Sequence, residues 1–342
     1  MRRGWTASRS SACAKSGWPD SVYVETSAGR APNRVVMAAS IGLIVVVWAV
    51  NFIAAKIGLR YLPPVTMASF RVAIAGLSMV PAYFICSRLP AFADARRARL
   101  QGLTPRDLWT FSYLGFFGVV VNQMCFTMGL RYTSVSHAAV IVGMGPIYTL
   151  VLAVLFRLER ATWHKVVGMV IAFVGVAVLA SENGVTPRSP SLLGDAITMT
   201  GSMGFATYAV LGKRVAGRYD ALTMTAFNHF AGAIIILPVA LHQARALGPF
   251  SRWRAVPWQG WTALLYMAVC SSAMAYLFYF WLLRYLEASQ LSAFTYLLPV
   301  LAVILGILWL GERGSAMQIA GGVLALAGVY WVESGRESPV RN

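Results

Sequence analysis

The sequence predicts an all-α polytopic membrane protein, with ten transmembrane helices as two inverted five-helix repeats. Three observations support this prediction. The chain is 58% hydrophobic and 12% charged, with a mean hydropathy of +0.64, whereas a soluble domain carries about 25% charged residues. Apolar runs of about 20 residues recur, and each can span ~30 Å of hydrocarbon as a helix. One 31-residue segment also appears twice.

The apolar runs favour helices over a β-barrel. Barrel strands are segments of about 10 residues with alternating hydrophobicity, and IGLIVVVWAV and VVGMVIAFVGVAVLA do not alternate. The net charge of +17 would suit nucleic acid. However, most Lys and Arg residues lie between apolar runs, where they set the orientation of the helices. The predicted partner is the lipid bilayer, and no nucleic acid is expected.

Ten apolar segments emerge from a window of about 19 residues. They cover residues 35–55, 65–87, 108–130, 134–156, 163–181, 192–214, 221–242, 260–284, 290–311 and 315–334. The predicted units are a disordered N-terminal cytoplasmic tail at 1–34, a first repeat at 35–181, an inverted second repeat at 192–334 and a C-terminal cytoplasmic tail at 335–342. The residues before Met37 are either a tail or the product of an over-extended start site.

The repeat is visible without gaps. LRYTSVSHAAVIVGMGPIYTLVLAVLFRLER, from residue 130, returns as LRYLEASQLSAFTYLLPVLAVILGILWLGER from residue 283, with nine identities at an offset of 153. The same offset pairs Gly168 with Gly321 and Gly175 with Gly328. An offset of 157 relates the first two spans of each half.

Five spans per unit place the second unit upside down in the membrane. Inverted repeats are typical of alternating-access carriers, whose substrate site lies between the repeats near the midplane. The alternative is a duplication kept only for folding. Segments predicted to be cytoplasmic hold 20 basic residues and the opposite connections hold eight, which places both termini in the cytoplasm.

The chain resembles an EamA-type member of the drug/metabolite transporter superfamily. The resemblance covers about 35–334 and lies in WAVNFIAAKIGLRYLPPVTMASFR and in the two hairpins that contain GMGP…LER and YLLPV…GER. It implies a ten-helix carrier of the cell inner membrane with cytoplasmic termini, which often exports amino acids or other small metabolites. It does not imply one substrate.

Arg71 is the first candidate for a cavity residue. A charge inside a bilayer costs at least about 2.5–3.5 kcal/mol on insertion scales. Arg71 either lines the cavity and attracts a substrate carboxylate, or snorkels to the headgroups. Its repeat counterpart Asn228, which is also polar, and the adjacent His229 are cavity candidates too.

Further cavity candidates are polar or aromatic residues of the first, sixth and eighth spans. Asn51 aligns with Tyr208, and either offers hydrogen bonds to a substrate or ties helices together. Ser272 and Tyr276 are predicted to share a helical face. Trp48 and Phe205 are candidates for an aromatic wall, although aromatic residues also pack structurally or anchor at membrane interfaces.

Three residues are candidates for proton coupling. His137 and His229 are two of them, since a histidine side chain ordinarily titrates near neutral pH; a neutral histidine satisfied by a neighbour is the alternative. Asp195 is the best-placed acid, but it also suits the N-terminus of its helix.

Gly143, Gly145, Pro146 and Pro299 are candidate hinges. The two prolines are repeat counterparts, and proline removes a helical hydrogen bond. Glycines seven apart in the fifth and tenth spans permit close helix contact, which leaves a monomer or a homodimer open.

No cofactor or metal site is predicted. The four cysteines form no CxxC pair, and Walker A, HExxH and GxSxG motifs are absent from the sequence. The expected function is secondary-active export of small metabolites, such as amino acids, related compounds or drugs, by alternating access. The alternatives are an uptake permease of the same fold and a structural or assembly membrane protein, and no enzyme activity is expected.

Overall fold

The computed structural model describes residues 32–89, 94–95, 102–132, 138, 141–181, 192–248, 250–298, 300–301 and 316–334. The regular elements of these residues are helices. They are α1 Arg34–Gly58, α2 Pro64–Cys86, α3 Pro105–Tyr132, α4 Gly145–Leu155, α5 Trp163–Ser181, α6 Leu192–Val215, α7 Ala221–Ala246, α8 Trp258–Leu283, α9 Ala288–Ala293 and α10 Ala316–Ser334. A short helix, Phe250–Ala255, precedes α8, and a 3₁₀ turn, Phe294–Tyr296, follows α9.

The helix starts follow local capping chemistry. Asn33 accepts a hydrogen bond from the Val35 amide at the start of α1. Thr104 and Asp107 form a capping box at the start of α3, and Asp220 accepts from the Thr223 amide at the start of α7. Each cap satisfies an amide that has no partner within its helix.

Five described helices, α1, α2, α3, α7 and α8, are long and apolar enough to cross a membrane. Three shorter apolar stretches are Ile141–Leu155, Trp163–Val178 and Ile319–Val332. Each predicted segment contains helical residues. The count of ten spans stays a prediction, because residues 133–137 and 302–315 lie outside the described part of the chain.

Two helices contain a π-helical stretch in their middle. The stretch in α3 is Gly115–Val121 and the stretch in α8 is Tyr266–Met274. They end at Val121 and Met274, which are 153 residues apart and therefore repeat counterparts. Such stretches are rare and frequently occur at functional sites.

Helices at equivalent positions of the two repeats pack antiparallel. In α2 and α7, Thr66 contacts Gln243 near one end and Tyr83 contacts Phe227 near the other. A Cβ atom at Gly76 would lie 2.5 Å from the His229 carbonyl oxygen, so glycine is needed for this close approach. The antiparallel packing agrees with an inverted repeat, which itself stays a prediction.

The helices α5 and α10 pack in the same way. A Cβ atom at Gly168 would lie 2.8 Å from Gly328 O, and one at Gly175 would lie 2.4 Å from Ala325 N and 2.7 Å from Gly321 O. The glycine rows therefore form a contact within one chain. This finding removes them as support for a dimer face.

The described residues form separate apolar clusters toward the two ends of the bundle. We call the end where α1 begins the lower end and the opposite end the upper end; the predicted orientation places the lower end in the cytoplasm. A large cluster fills the lower half, where Ile41 and Ile44 of α1 lie with Leu283 and Leu286. The upper half holds a separate cluster around Met67 and Leu264.

Candidate functional site

A cavity of about 90 Å³ lies between the two halves of the chain. Five aromatic side chains line it: Trp48, Phe52, Phe126, Phe205 and Tyr276. Polar lining residues include Asn51, Asn122, Thr198, Ser202, Ser271, Ser292 and Thr295. Among the described residues that line it, Arg71 alone carries a formal charge.

Equivalent positions of the two repeats face this cavity. Trp48 and Phe205 are counterparts at the offset of 157, and their rings meet edge to face with centroids 5.5 Å apart. Val142 and Thr295 are counterparts at the offset of 153 and also line the cavity. The cavity therefore lies where the two halves of the sequence meet.

Several lining residues lie above the middle of their helices. Phe52 is near the upper end of α1, Phe126 is in the upper half of α3, and Thr198 is in the second turn of α6, which begins at the upper end. The lower half is filled by the apolar cluster around Ile44 and Leu283. These lining residues thus lie toward the upper end, with the apolar cluster below them.

Arg71 lies on the cavity wall, only 4% exposed. Its Nε donates to Ser272 Oγ at 2.9 Å and its Nη2 donates to Ser271 Oγ at 3.3 Å. Within the described part of the chain, Nη1 has no hydrogen-bond partner. The expectation that Arg71 snorkels to a headgroup does not fit this burial, because its charge is held by hydroxyl groups inside the bundle.

The π stretch of α8 supplies both serines that hold Arg71. Ser272 Oγ lies 2.8 Å from Met267 O and 3.0 Å from Gln123 Oε1. Since the hydroxyl accepts from Arg71 Nε, its own proton goes to one of these two oxygens. Gln123 is 1% exposed. It therefore supports the serine that orients the guanidinium.

Tyr276 links α8 to the π stretch of α3. Its hydroxyl lies 3.0 Å from Gly118 O and 3.1 Å from Asn122 Oδ1, and Asn122 Nδ2 donates to Gly201 O at 3.0 Å. A Cβ atom at Gly118 would lie 2.2 Å from Tyr208 Cδ2. A glycine is therefore required where α3, α6 and α8 meet.

Asn51 is the second predicted residue that lines the cavity with an unused polar atom. It is 6% exposed, and its Oδ1 accepts no hydrogen bond from the described residues. A buried acceptor without a partner is costly. Asn51 thus offers an acceptor to a bound molecule, whereas Arg71 offers a donor.

Four of the predicted cavity residues lie behind the wall in this structure. Tyr208, Asn228, His229 and Ser272 are fully buried and are not part of the lining. His229 Nδ1 lies 2.9 Å from Thr225 O, and its ring meets the Tyr276 ring edge to face at 5.1 Å. One aromatic ring therefore separates His229 from the cavity.

The remaining predicted residues have mixed placements. Asp195 lies in the first turn of α6, partly buried. Gly145 lines the cavity and Pro146 occupies the first turn of α4, after a turn at Met144 that separates it from Gly143. His137 and Pro299 lie outside the described residues.

Sequence reasoning missed Ser271, Asn122 and Gln123. Each is an ordinary polar residue in an apolar stretch, and its role depends on a contact across the two repeats. The repeat alignment could have identified Gln123, because it is the counterpart of the predicted cavity residue Tyr276. No cluster of three His, Cys, Asp or Glu side chains in the described residues is placed to hold a metal.

A buried cation on the wall of a central cavity, inside a bundle of membrane-length helices, is the arrangement of a membrane transporter. The model of the EamA-like transporter family matches residues 36–181 and again residues 192–334. The chain therefore belongs to the EamA-like transporter family, and it is a multi-pass membrane protein.

Named relatives cover most of the chain. An uncharacterized transporter of Archaeoglobus fulgidus is 29% identical over 85% of this chain and 96% of its own length. A probable terminal-alkyne amino-acid exporter of Streptantibioticus cattleyicolor is 25% identical over 85% of this chain and 91% of its own. A probable amino-acid metabolite efflux pump of Salmonella typhimurium is 26% identical over 84% of this chain and 91% of its own length.

A solved crystal structure shares the fold. It superposes with a TM-score of 0.66 and covers 87% of this chain and 96% of that chain. At 17% sequence identity, this likeness concerns the fold alone.

Proposed function

We propose that the protein is a secondary-active carrier that exports small metabolites, such as amino acids or related compounds, by alternating access through the cavity. The observation that carries this proposal is Arg71, a buried guanidinium on the cavity wall with one nitrogen that has no hydrogen-bond partner in the described part of the chain. A membrane protein retains an intramembrane charge at a cost, so such a charge marks a functional site by default.

The polar atoms of the cavity fit a molecule with a carboxylate. Arg71 Nη1 is a charged donor, and Arg binds carboxylates strongly. Asn51 Oδ1 is an acceptor that suits an ammonium or hydroxyl group of the same molecule. The rings of Trp48 and Phe205 fit an apolar side chain beside these groups.

Alternating access is supported by the relation between the halves. The antiparallel pairs α2–α7 and α5–α10, and the cavity between the halves, are what an inverted repeat requires. The interruption at Met144, next to Gly143, Gly145 and Pro146, is the proposed hinge. Pro299 is its proposed counterpart in the second half.

The proposed orientation places both termini in the cytoplasm, with the protein in the inner membrane. The bias of basic residues between the two sides supports this orientation. His229 is the proposed coupling group, because its Nε2 has no hydrogen-bond partner among the described residues and its ring touches Tyr276 on the cavity wall. His137 and Asp195 are the other candidates.

Export rather than uptake is proposed because two relatives are named as an exporter and an efflux pump. The test compares metabolites in the medium of cells that express the wild type, Arg71→Ala or an empty vector. Enrichment of a defined compound by the wild type alone supports export through Arg71. Depletion of a compound from the medium favours an uptake permease. No change, with verified membrane expression, favours a structural role.

A further inference from the structure

The lower end of the bundle carries a buried charge cluster that joins the two halves. Lys165, in the first turn of α5, lies 3.0 Å from Glu159 Oε2 and 2.6 Å from Glu287 Oε2. Glu159 and Lys165 are in the first half, and Glu287 precedes α9 in the second. The side chains of Lys165 and Glu159 are 7% and 1% exposed, and that of Glu287 is 43% exposed.

The Glu159 carboxylate makes further bonds across the same boundary. Its Oε1 accepts from the Ser289 amide at 3.2 Å, and its Oε2 accepts from the Ser289 hydroxyl. Ser289 lies in the first turn of α9. The corner between α4 and α5 is thus bonded to the start of α9, directly below the cavity residue Ser292.

A second polar contact joins the halves at the lower end. Asp107 of α3 accepts from Arg218 Nη2 at 3.0 Å and from the Tyr219 hydroxyl. Burial, together with the hydrogen bond to Asp107, raises the pKa of Tyr219 above its ordinary value. The hydroxyl therefore stays protonated and keeps donating across the physiological pH range.

Except for Glu159, whose counterpart is Glu312, the charged residues of these contacts have neutral counterparts at the upper end. Lys165 corresponds to Gln318, and Glu287 corresponds to Ser134. Asp107 corresponds to Gly260, which packs against Tyr61, the counterpart of Arg218. The ion pairs of Lys165 with Glu159 and Glu287, and of Arg218 with Asp107, all lie at the lower end. The two ends therefore differ in charge although the repeat makes them equivalent.

We propose that Glu159, Lys165, Glu287 and Ser289 form a latch that holds the lower end closed and biases the resting carrier toward its upper-open state. The inference rests on the alternating access proposed above. Opening the lower end separates the halves and hence Lys165 from Glu287. The upper end keeps Glu312 as the counterpart of Glu159, but it has the neutral residues Gln318 and Ser134 where the lower end has Lys165 and Glu287. The same ion pairs cannot form there, so the bias has one direction.

Lys165→Gln gives the lower end the residue of its repeat counterpart. It removes the cation that contacts the buried Glu159 carboxylate and leaves the weaker electrostatic interaction with Lys213. A buried charge that loses its partner is strongly destabilised. Opening hydrates that carboxylate, so the variant favours the lower-open state. Glu287→Gln removes a more exposed partner and is expected to act in the same direction with a smaller effect.

The test is a pulsed electron–electron distance measurement on the full chain in lipid, without substrate. The native cysteines are replaced by alanine, and spin labels are placed at Trp163 and Tyr285 for the lower end. A second pair, at Tyr61 and Trp258, reports on the upper end. These four side chains are 71%, 38%, 38% and 71% exposed, respectively, so labels there avoid the core.

The latch predicts that Lys165→Gln raises the ratio of lower-open to lower-closed molecules at least about fivefold, the lower range of typical coupling effects. The upper pair should shorten in parallel. Lys56→Gln, an exposed lysine outside the cluster, is the matched control and should change neither distance. If Lys165→Gln does not fold, the same measurement is made on Glu287→Gln, which should also raise the ratio of lower-open to lower-closed molecules.

Unchanged distances in a folded Lys165→Gln or Glu287→Gln variant would overturn the latch and leave the cluster as a structural contact. This result is distinguishable from a failure of the proposed function. The distances are measured without substrate, whereas the carrier proposal fails when the wild type exports and imports nothing.

Discussion

Replacing Arg71 by lysine keeps the positive charge and removes the forked guanidinium. In the structure, Nε and Nη2 donate to Ser272 and Ser271, while Nη1 has no hydrogen-bond partner among the described residues. A lysine ammonium is a single point of charge on a flexible stem. It cannot hold both serines in this geometry and also present a donor to a substrate.

The size of the effect follows from the lost contacts. A hydrogen bond of a charged group contributes about 1.5–3 kcal/mol, and about 1.4 kcal/mol corresponds to a factor of ten in rate. Loss of one such bond therefore lowers kcat/KM for transport roughly 10- to 100-fold. Arg71→Ala removes the charge as well and should lower it further.

The assay uses proteoliposomes that contain purified protein and the compound found by the metabolite comparison. Initial rates at low substrate concentration are compared for the wild type, Arg71→Lys, Arg71→Ala and the Lys56→Gln control. Elution as one species from a size-exclusion column verifies folding. If Arg71→Lys transports at the wild-type rate while Arg71→Ala is inactive, the positive charge is sufficient. That result would refute a requirement for the forked guanidinium. Wild-type rates for both would remove Arg71 from the transport path.

Three further predictions concern other residues. Gln123→Glu should lower the initial proteoliposome rate at least about tenfold, since a carboxylate near Arg71 competes with the substrate anion; an unchanged rate would place Gln123 away from the guanidinium. Gly175→Ala should destabilise the protein by about 1–3 kcal/mol through overpacking, which is measured as a lower thermal midpoint in detergent. Gly42→Ala is the control and should not lower the midpoint, because a Cβ atom there meets nothing within 4 Å. Equal midpoints for the two variants would contradict the α5–α10 contact. His229→Gln should abolish the dependence of transport on a proton gradient, measured in acid- and alkaline-loaded vesicles, and a retained dependence would assign coupling to another group.

The course of the helices was predictable because long apolar runs have few alternatives in a membrane. The segments predicted at 65–87 and 163–181 agree with α2 and α5 within a residue or so. The recurring glycines, among them Gly168 and Gly175, predicted a close helix contact, and the structure has such a contact between α5 and α10. Their use inside one chain, rather than in a dimer, depends on tertiary packing that hydropathy does not encode.

The candidate site was predictable only in part. A charge in an apolar run singled out Arg71, and Asn51 stood out in the same way. Ser271 and Gln123 were not predicted. Gln123 acts through a contact between α3 and α8, and Ser271 contacts Arg71 because the π stretch presents two consecutive serines to it. Tyr208, Asn228 and His229 were expected on the cavity wall, but their helices turn these side chains behind it.

The central claim is that Arg71 Nη1 receives the anionic group of the transported compound. An experimental structure of the protein with that compound bound tests this claim most directly. The account predicts the compound between Trp48 and Phe205, with its carboxylate within hydrogen-bond distance of Arg71 Nη1 and a polar group at Asn51 Oδ1. A compound bound elsewhere, with Arg71 still holding only its two serines, would contradict it.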